Sequence, residues 1–252
     1  MNKDEQEEKI DGISLREANE RSRRSENIRK IVLHTIRRSG ENVKNSEQQA
    51  IVSNLIKTIE NDGLFDIQKV YFEYKSVQGK DVIQLERGFE SKVYLLEDNG
   101  NRKIIKITNW ESMKGISNTY MLNPTIIDFI QNKVVAQKKL FPETDYKVIG
   151  IDVDFQFVLE QPYIESLLEE NGKPKMDEIE NDLIKRGFSR ANGSFGKFHA
   201  FWIDDENDYV VFDIRPANVL KGSNNKLFYI DPIIQPNTEI FRKVANIKRT
   251  KK

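Results

Sequence analysis

Cysteine is absent from the 252 residues, which excludes disulfides, thiolate zinc sites and a cysteine nucleophile. Only two histidines are present, His34 and His199, too few for a histidine-rich metal site. Long hydrophobic runs are missing as well: no stretch approaches the roughly 18 consecutive apolar residues of a membrane span. The opening MNKDEQEEKI is acidic and lacks an apolar signal core, so the sequence predicts a cytoplasmic location and no membrane partner. Nor does charge of one sign dominate. Forty Lys+Arg balance forty Asp+Glu, so no global field draws the chain to nucleic acid, and a partner must be recognised locally. The basic end KRTKK is too short to change that.

What is there fits one core with a small appended element rather than two full domains. The first 46 residues are charge-dense, with one apolar cluster, Ile28, Ile31, Val32 and Ile36, at helical spacing and Gly40 placed to end the helix. NSEQQAIVSNLIKTIENDG predicts a second helix, capped by Ser46, striped by Ile51, Leu55 and Ile59, and stopped at Gly63. Short β-branched and aromatic runs follow: KVYFEYKSV, KVYLLE, RKIIKIT, YKVIGID and FQFVLEQPYI, with spacers such as EDNGN. They predict an antiparallel sheet. Helical patterns interrupt it at about residues 124–140, with Ile127, Ile130, Val134 and Ala136 on the apolar side, and again at MDEIENDLIKRGF. Near the end, DYVVFDIRPANVL and KLFYIDPII read as two strands joined by the hairpin loop KGSNN. His199, in GKFHAFWID, reads as a packed core histidine and His34 as a surface residue.

One constellation carries chemistry. Phosphoryl transfer asks a protein for a phosphate cradle, metal ligands and a carboxylate that orients the attacking hydroxyl. Asp213 and Asn218 stand five positions apart after an apolar strand, and Asp231 returns eighteen residues beyond Asp213 on the hairpin. Such spacing can bring two carboxylates and one amide together.

The pattern resembles the catalytic loop and following metal-binding Asp of protein kinases and their small-molecule-kinase relatives. The resemblance implies Asp213 as the base for the acceptor hydroxyl, Asn218 and Asp231 as magnesium ligands, and Arg215 in the place of the catalytic-loop lysine. ERGFESKV is similar to the phosphate loop, keeping Gly88 and Val93 but carrying Glu86 and Ser91 where the other glycines stand. RKIIKIT resembles the strand of the phosphate-binding lysine, with Lys106 the candidate and Lys103 the alternative. FQFVLEQPYI resembles the hinge strand, whose backbone at Glu160, Gln161 and Tyr163 would meet an adenine edge. Asp128, or else Glu111, would be the acid on the following helix. The likeness is strongest to the kinase-like domain of polyvalent proteins of phages and mobile elements, through LFPET, EQPYI and NVLKGSNNKLFYIDPII.

The implied architecture is α+β: a minimal bilobal protein-kinase-like fold with an antiparallel-sheet small lobe and a truncated second lobe. Residues 1–79 would be a charged helical extension, 80–236 the nucleotide-binding domain and 237–252 a basic tail. ATP and Mg2+ are the implied cofactors, with a protein or small-molecule acceptor. Departures are visible too. Val211 and Phe212 replace the usual His-Arg, Pro232 and Ile233 follow Asp231 in place of Phe-Gly, and 21 residues follow Asp231. A nucleotide-binding pseudokinase serving as an interaction module is therefore the rival expectation, and an unrelated α+β binding domain the third. Taken singly, Gly88 also fits a hairpin turn, Lys106 a strand lysine and Asp128 a solvated helix residue.

Overall fold

The computed structural model describes residues 9–10, 13–40, 43, 46–61, 82–87, 91–98, 100–108, 122–152, 156–166 and 173–248. Gly88, Glu111 and the KVYFEYKSV run lie outside the described residues.

Helix α1 spans Leu15–Gly40 and α2 spans Ser46–Glu60. The seam of α1 is narrower than the sequence predicts: Val32 and Ile36 are buried, whereas Ile31 is 64% exposed. A one-residue offset turns a side chain by about 100° around a helix, which carries Ile31 out of the seam. Helix α2 buries Val52, Leu55 and Ile59, with Ile51 at the margin.

Five antiparallel strands form the first sheet: β1 (Ile83–Arg87), β2 (Ser91–Asp98), β3 (Asn101–Thr108), β4 (Lys147–Ile151) and β5 (Phe157–Pro162). Their spatial order is β1-β2-β3-β5-β4. Alternation gives the sheet two faces. Ile105, Ile107 and Val158 cluster on one with Tyr94 and Leu96. Phe157 and Leu159 point to the other, where they meet Val32, Ile36, Leu55 and Ile59 of the two N-terminal helices.

That second face is also covered by one helical run, α3, which is α-helical over Ile126–Phe129, π-helical over Ile130–Val135 and α-helical again over Ala136–Leu140. Thr125 caps it, and the Phe129 and Phe157 rings stack with centroids 4.9 Å apart. Ile130, Val134 and Ala136 are buried as the pattern predicts, with Ile127 partly so.

The second half holds α4 (Met176–Lys185), β6 (Ser189–Phe195), β7 (Phe198–Ile203), β8 (Tyr209–Phe212), β9 (Val219–Lys221), β10 (Leu227–Tyr229), β11 (Ile233–Pro236) and α5 (Glu239–Val244). Four of the strands form a sheet in the order β11-β8-β7-β6. His199 is exposed on β7, not packed in the core as its aromatic surroundings suggest. The strand alternates there, burying Phe198 and turning His199 outward beside the Gly196–Lys197 turn.

The hairpin expected around KGSNN is nested. Its inner part pairs β9 with β10, Val219 opposite Tyr229, and its outer part pairs β8 with β11, Phe212 opposite Ile233. Between the two ladders the strands part, leaving residues 213–218 on one arm facing 230–232 on the other. Unequal arms cannot stay in register, so both leave the ladder and free their side chains.

Candidate functional site

The parting of this nested hairpin lies against the inner face of the first sheet. Lys106 stands in β3 opposite Val93 of β2 and Leu159 of β5. Its apolar neighbours Ile105 and Ile107 point away, so the alternation sends the Lys106 ammonium inward toward the second half of the chain. Nζ donates to Tyr146 Oη at 2.9 Å and to the Ile230 carbonyl at 3.1 Å. That carbonyl also accepts from Tyr146 Oη at 2.7 Å and from Gln161 Nε2 at 3.2 Å. Three donors, two from the first sheet and one just before β4, thus clamp the residue before Asp231. Gln137 and Thr144 bind the next carbonyl back, Tyr229 O, at 2.9 and 2.7 Å.

Asp231 Oδ1 meets Lys133 of α3 in an ion pair, Tyr146 Oη at 3.3 Å and Lys106 Nζ at 3.8 Å. Burial alone would push this carboxyl up. The charges of Lys106 and Lys133, with hydrogen bonds from Lys133 and Tyr146, outweigh it and hold the group well below the ordinary carboxylate range.

Across the parting, Phe212 is anchored in one apolar cluster and Ile214 packs on another, which leaves Asp213 at their seam. Its φ of 56° lies in the left-handed region, an uncommon place for a non-glycine residue and one held by the packing on either side. Pro216–Asn218 form a single 3-10 turn that brings Asn218 back. Asn218 Nδ2 donates to the Asp213 carbonyl at 2.8 Å and to Oδ2 at 3.1 Å, and Arg215 Nε lies 3.3 Å from Oδ1. Ile230 N donates to the Asn218 carbonyl at 3.0 Å, tying the two arms together. Burial raises the Asp213 carboxyl above its usual value, Asp231 adds to the rise, and Arg215, Asn218 and Lys197 offset it in part. The structure therefore brings Asp213, Arg215, Asn218, Asp231 and Lys106 to one place.

The other sequence candidates are dispersed. Val93 is the cross-strand partner of Lys106, and Ser91 Oγ lies 2.8 Å from Thr108 Oγ1. Lys103 points outward to Glu160 at 3.0 Å, which distinguishes it from the inward Lys106. The Gln161 side chain is buried and bonds Thr144 O at 2.8 Å, tying the hinge strand to the site rather than facing a ligand. Tyr163 lies under the Arg102 guanidinium at 4.4 Å. The β4 ladder ends at Lys147 opposite Glu160, so from Gln161 onward β5 is paired through β3 alone. Asp128 closes the capping box of α3, accepting from Thr125 Oγ1 at 2.7 Å and Thr125 N at 3.0 Å.

Two residues of the site escape a reading of the sequence, Lys133 and Tyr146. Lys133 follows Ile130 by three, on the buried side of α3, and a lysine inside an apolar stripe is the signal that could reveal it. Tyr146 precedes β4 and carries no such signal.

The donor set suits a hard cation and a polyphosphate. Asn218 engages Asp213 through Nδ2, leaving its amide oxygen, and Asp231 engages its lysines through Oδ1, leaving Oδ2; both are the oxygen ligands magnesium takes. An acidic turn, with Asp204 buried and Glu206 and Asp208 exposed, stands apart, and Lys139 lies 2.5 Å from Glu206 and 3.0 Å from Asp208. Among the described residues, no helix is long and apolar enough to cross a membrane.

The model of one protein family, described as a serine/threonine/tyrosine kinase found in polyvalent proteins, matches residues 41–238. The match takes in α2, the first sheet, α3 and the nested hairpin with its two opposed arms. No curated protein and no solved structure matches the chain. With most of its length matched, the chain belongs to the serine/threonine/tyrosine kinases found in polyvalent proteins.

Proposed function

We propose that the chain is an ATP- and magnesium-dependent phosphotransferase that moves the γ-phosphoryl group to a hydroxyl of a protein or small molecule. The observation that carries this reading is the parted hairpin, which sets Asp213 and Asn218 against Asp231 and the inward Lys106. Lys106 would hold the α- and β-phosphates, and Asn218 and Asp231 the magnesium, which supplies charge neutralisation for the β- and γ-phosphates. The raised Asp213 carboxyl would take the acceptor's hydroxyl proton. The acceptor oxygen bonds to the γ-phosphorus as the bond to the bridging oxygen breaks, and ADP leaves. Arg215 would steady the transferring group with its guanidinium. The backbone beyond Glu160, through Tyr163, would receive the adenine edge.

A second reading is favoured by α3. Its one acid, Asp128, caps the helix, and the helix presents Lys133 to Asp231. A protein built so could bind a nucleotide without transferring phosphate, as a pseudokinase interaction module in a phage or mobile-element system.

Release of labelled γ-phosphate and its appearance on acceptors distinguishes the two. Asp213→Asn should abolish turnover while nucleotide binding survives. If wild type binds ATP without turning it over, the pseudokinase reading stands; if Asp213→Asn turns over like wild type, the assignment of the base is wrong.

A further inference from the structure

Lys133 is the one charged side chain of α3 that the helix turns into the site. It lies in the π-helical stretch, where the wider turn shifts side-chain register, and such turns recur at functional sites. Only 10% of its side chain is exposed. Ile130 and Val134 on either side are packed in the core, so the stem has little room to withdraw its ammonium into water. An ammonium held this way needs an anion, and Asp231 supplies it.

A divalent cation on Oδ2 of Asp231 would stand beside that ammonium as a like charge and compete with it for the carboxylate. The arrangement is stable only when a polyanion arrives with the cation. We infer that Lys133 is a second phosphate-binding residue of the nucleotide site: it neutralises Asp231 when the site is empty and passes to a phosphate oxygen when nucleotide binds. This rests on the proposed nucleotide reading, deepens it, and couples cation binding to nucleotide binding.

The test is calorimetric titration of the full chain with ATP and with adenosine, each in excess magnesium and in chelator. Variants are Lys133→Met, which keeps the stem, and Lys133→Arg, which keeps the charge. Losing one charge-assisted phosphate contact should weaken ATP about tenfold or more in magnesium, and by less in chelator, where Asp231 still competes for the ammonium. Adenosine affinity should be unchanged, since it has no phosphate, and Lys133→Arg should recover part of the loss. Should Lys133→Met fail to fold, Lys133→Gln carries the same expectation. ATP binding as tight in the charge-removing variant as in wild type, or tighter, overturns the inference and leaves the nucleotide reading standing. Wild type that binds neither ATP nor adenosine overturns both.

Discussion

Asp231→Asn in the ligand-free protein isolates the ion pair at the centre of the site. The change keeps the shape of the side chain and removes its charge, so that Lys106 and Lys133 confront each other across a neutral amide. Their side chains are 8% and 10% exposed, which leaves both ammonium groups little water. Breaking a fully buried pair by removing one partner costs about 3–5 kcal/mol. Asp231 is 38% exposed at its side chain, so solvent screens part of its attraction, and about 2 kcal/mol is the expected loss. For a chain of this size about 2–4 °C accompanies each kcal/mol, so the melting temperature should drop by about 4–8 °C. Thermal unfolding followed by far-ultraviolet circular dichroism at pH 7, without nucleotide or divalent cation, reads this directly. In a Lys133→Met background the same substitution should cost less, because one of the two ammonium groups is gone. A variant that melts at or above wild type in both backgrounds would show that the lysines do not hold the carboxylate.

Acid should act through the same group. A carboxyl depressed in the folded state adds stability above its unfolded pKa of about 4 and loses it as pH falls toward the folded value. The gap in urea midpoint between wild type and Asp231→Asn should hold steady from pH 7 to 5 and shrink below about 4; a gap that widens on acidification contradicts the assignment. Phe212→Ala should cost about 3–5 kcal/mol in equilibrium unfolding, whatever nucleotide does. Phe212 is fully buried among Phe195, Phe198, Phe201 and Phe241, with ring centroids 5.2 to 6.1 Å away. A loss under about 1 kcal/mol would mean that the cluster anchoring Asp213 repacks freely.

Much of this site was legible because the chemistry and the strand pattern coincide. Asp213, Asn218 and Asp231 sit at the ends of apolar runs, and a hairpin joining those runs must bring them close. Lys106 was legible for the same reason, since flanking isoleucines on one face force it to the other. The nesting was not legible. A continuous hairpin and a parted one share the same apolar runs, and only the pairing of Phe212 with Ile233 and of Val219 with Tyr229 separates them. Lys133 was hidden by its charge, because a lysine is read as solvated even where it follows Ile130 by three and so falls inside the apolar stripe. Ile31 and His199 erred in the opposite direction: neighbouring apolar residues suggested burial, but the one-residue phase of helix and strand put each outside. Asp128 was chosen for its charge and position, whereas its distance of three from Thr125 makes it a cap.

The proposed function requires a magnesium-nucleotide site between the inward lysine and the parted hairpin. Thermal shift with ATP at millimolar concentration, with and without magnesium, on wild type and Asp231→Ala, tests it most directly, since a ligand that binds the native state must raise its melting temperature. The melting temperature of wild type should rise, more so with magnesium, and Asp231→Ala should lose that magnesium-dependent part. No shift in wild type under any of these conditions would contradict the proposed site.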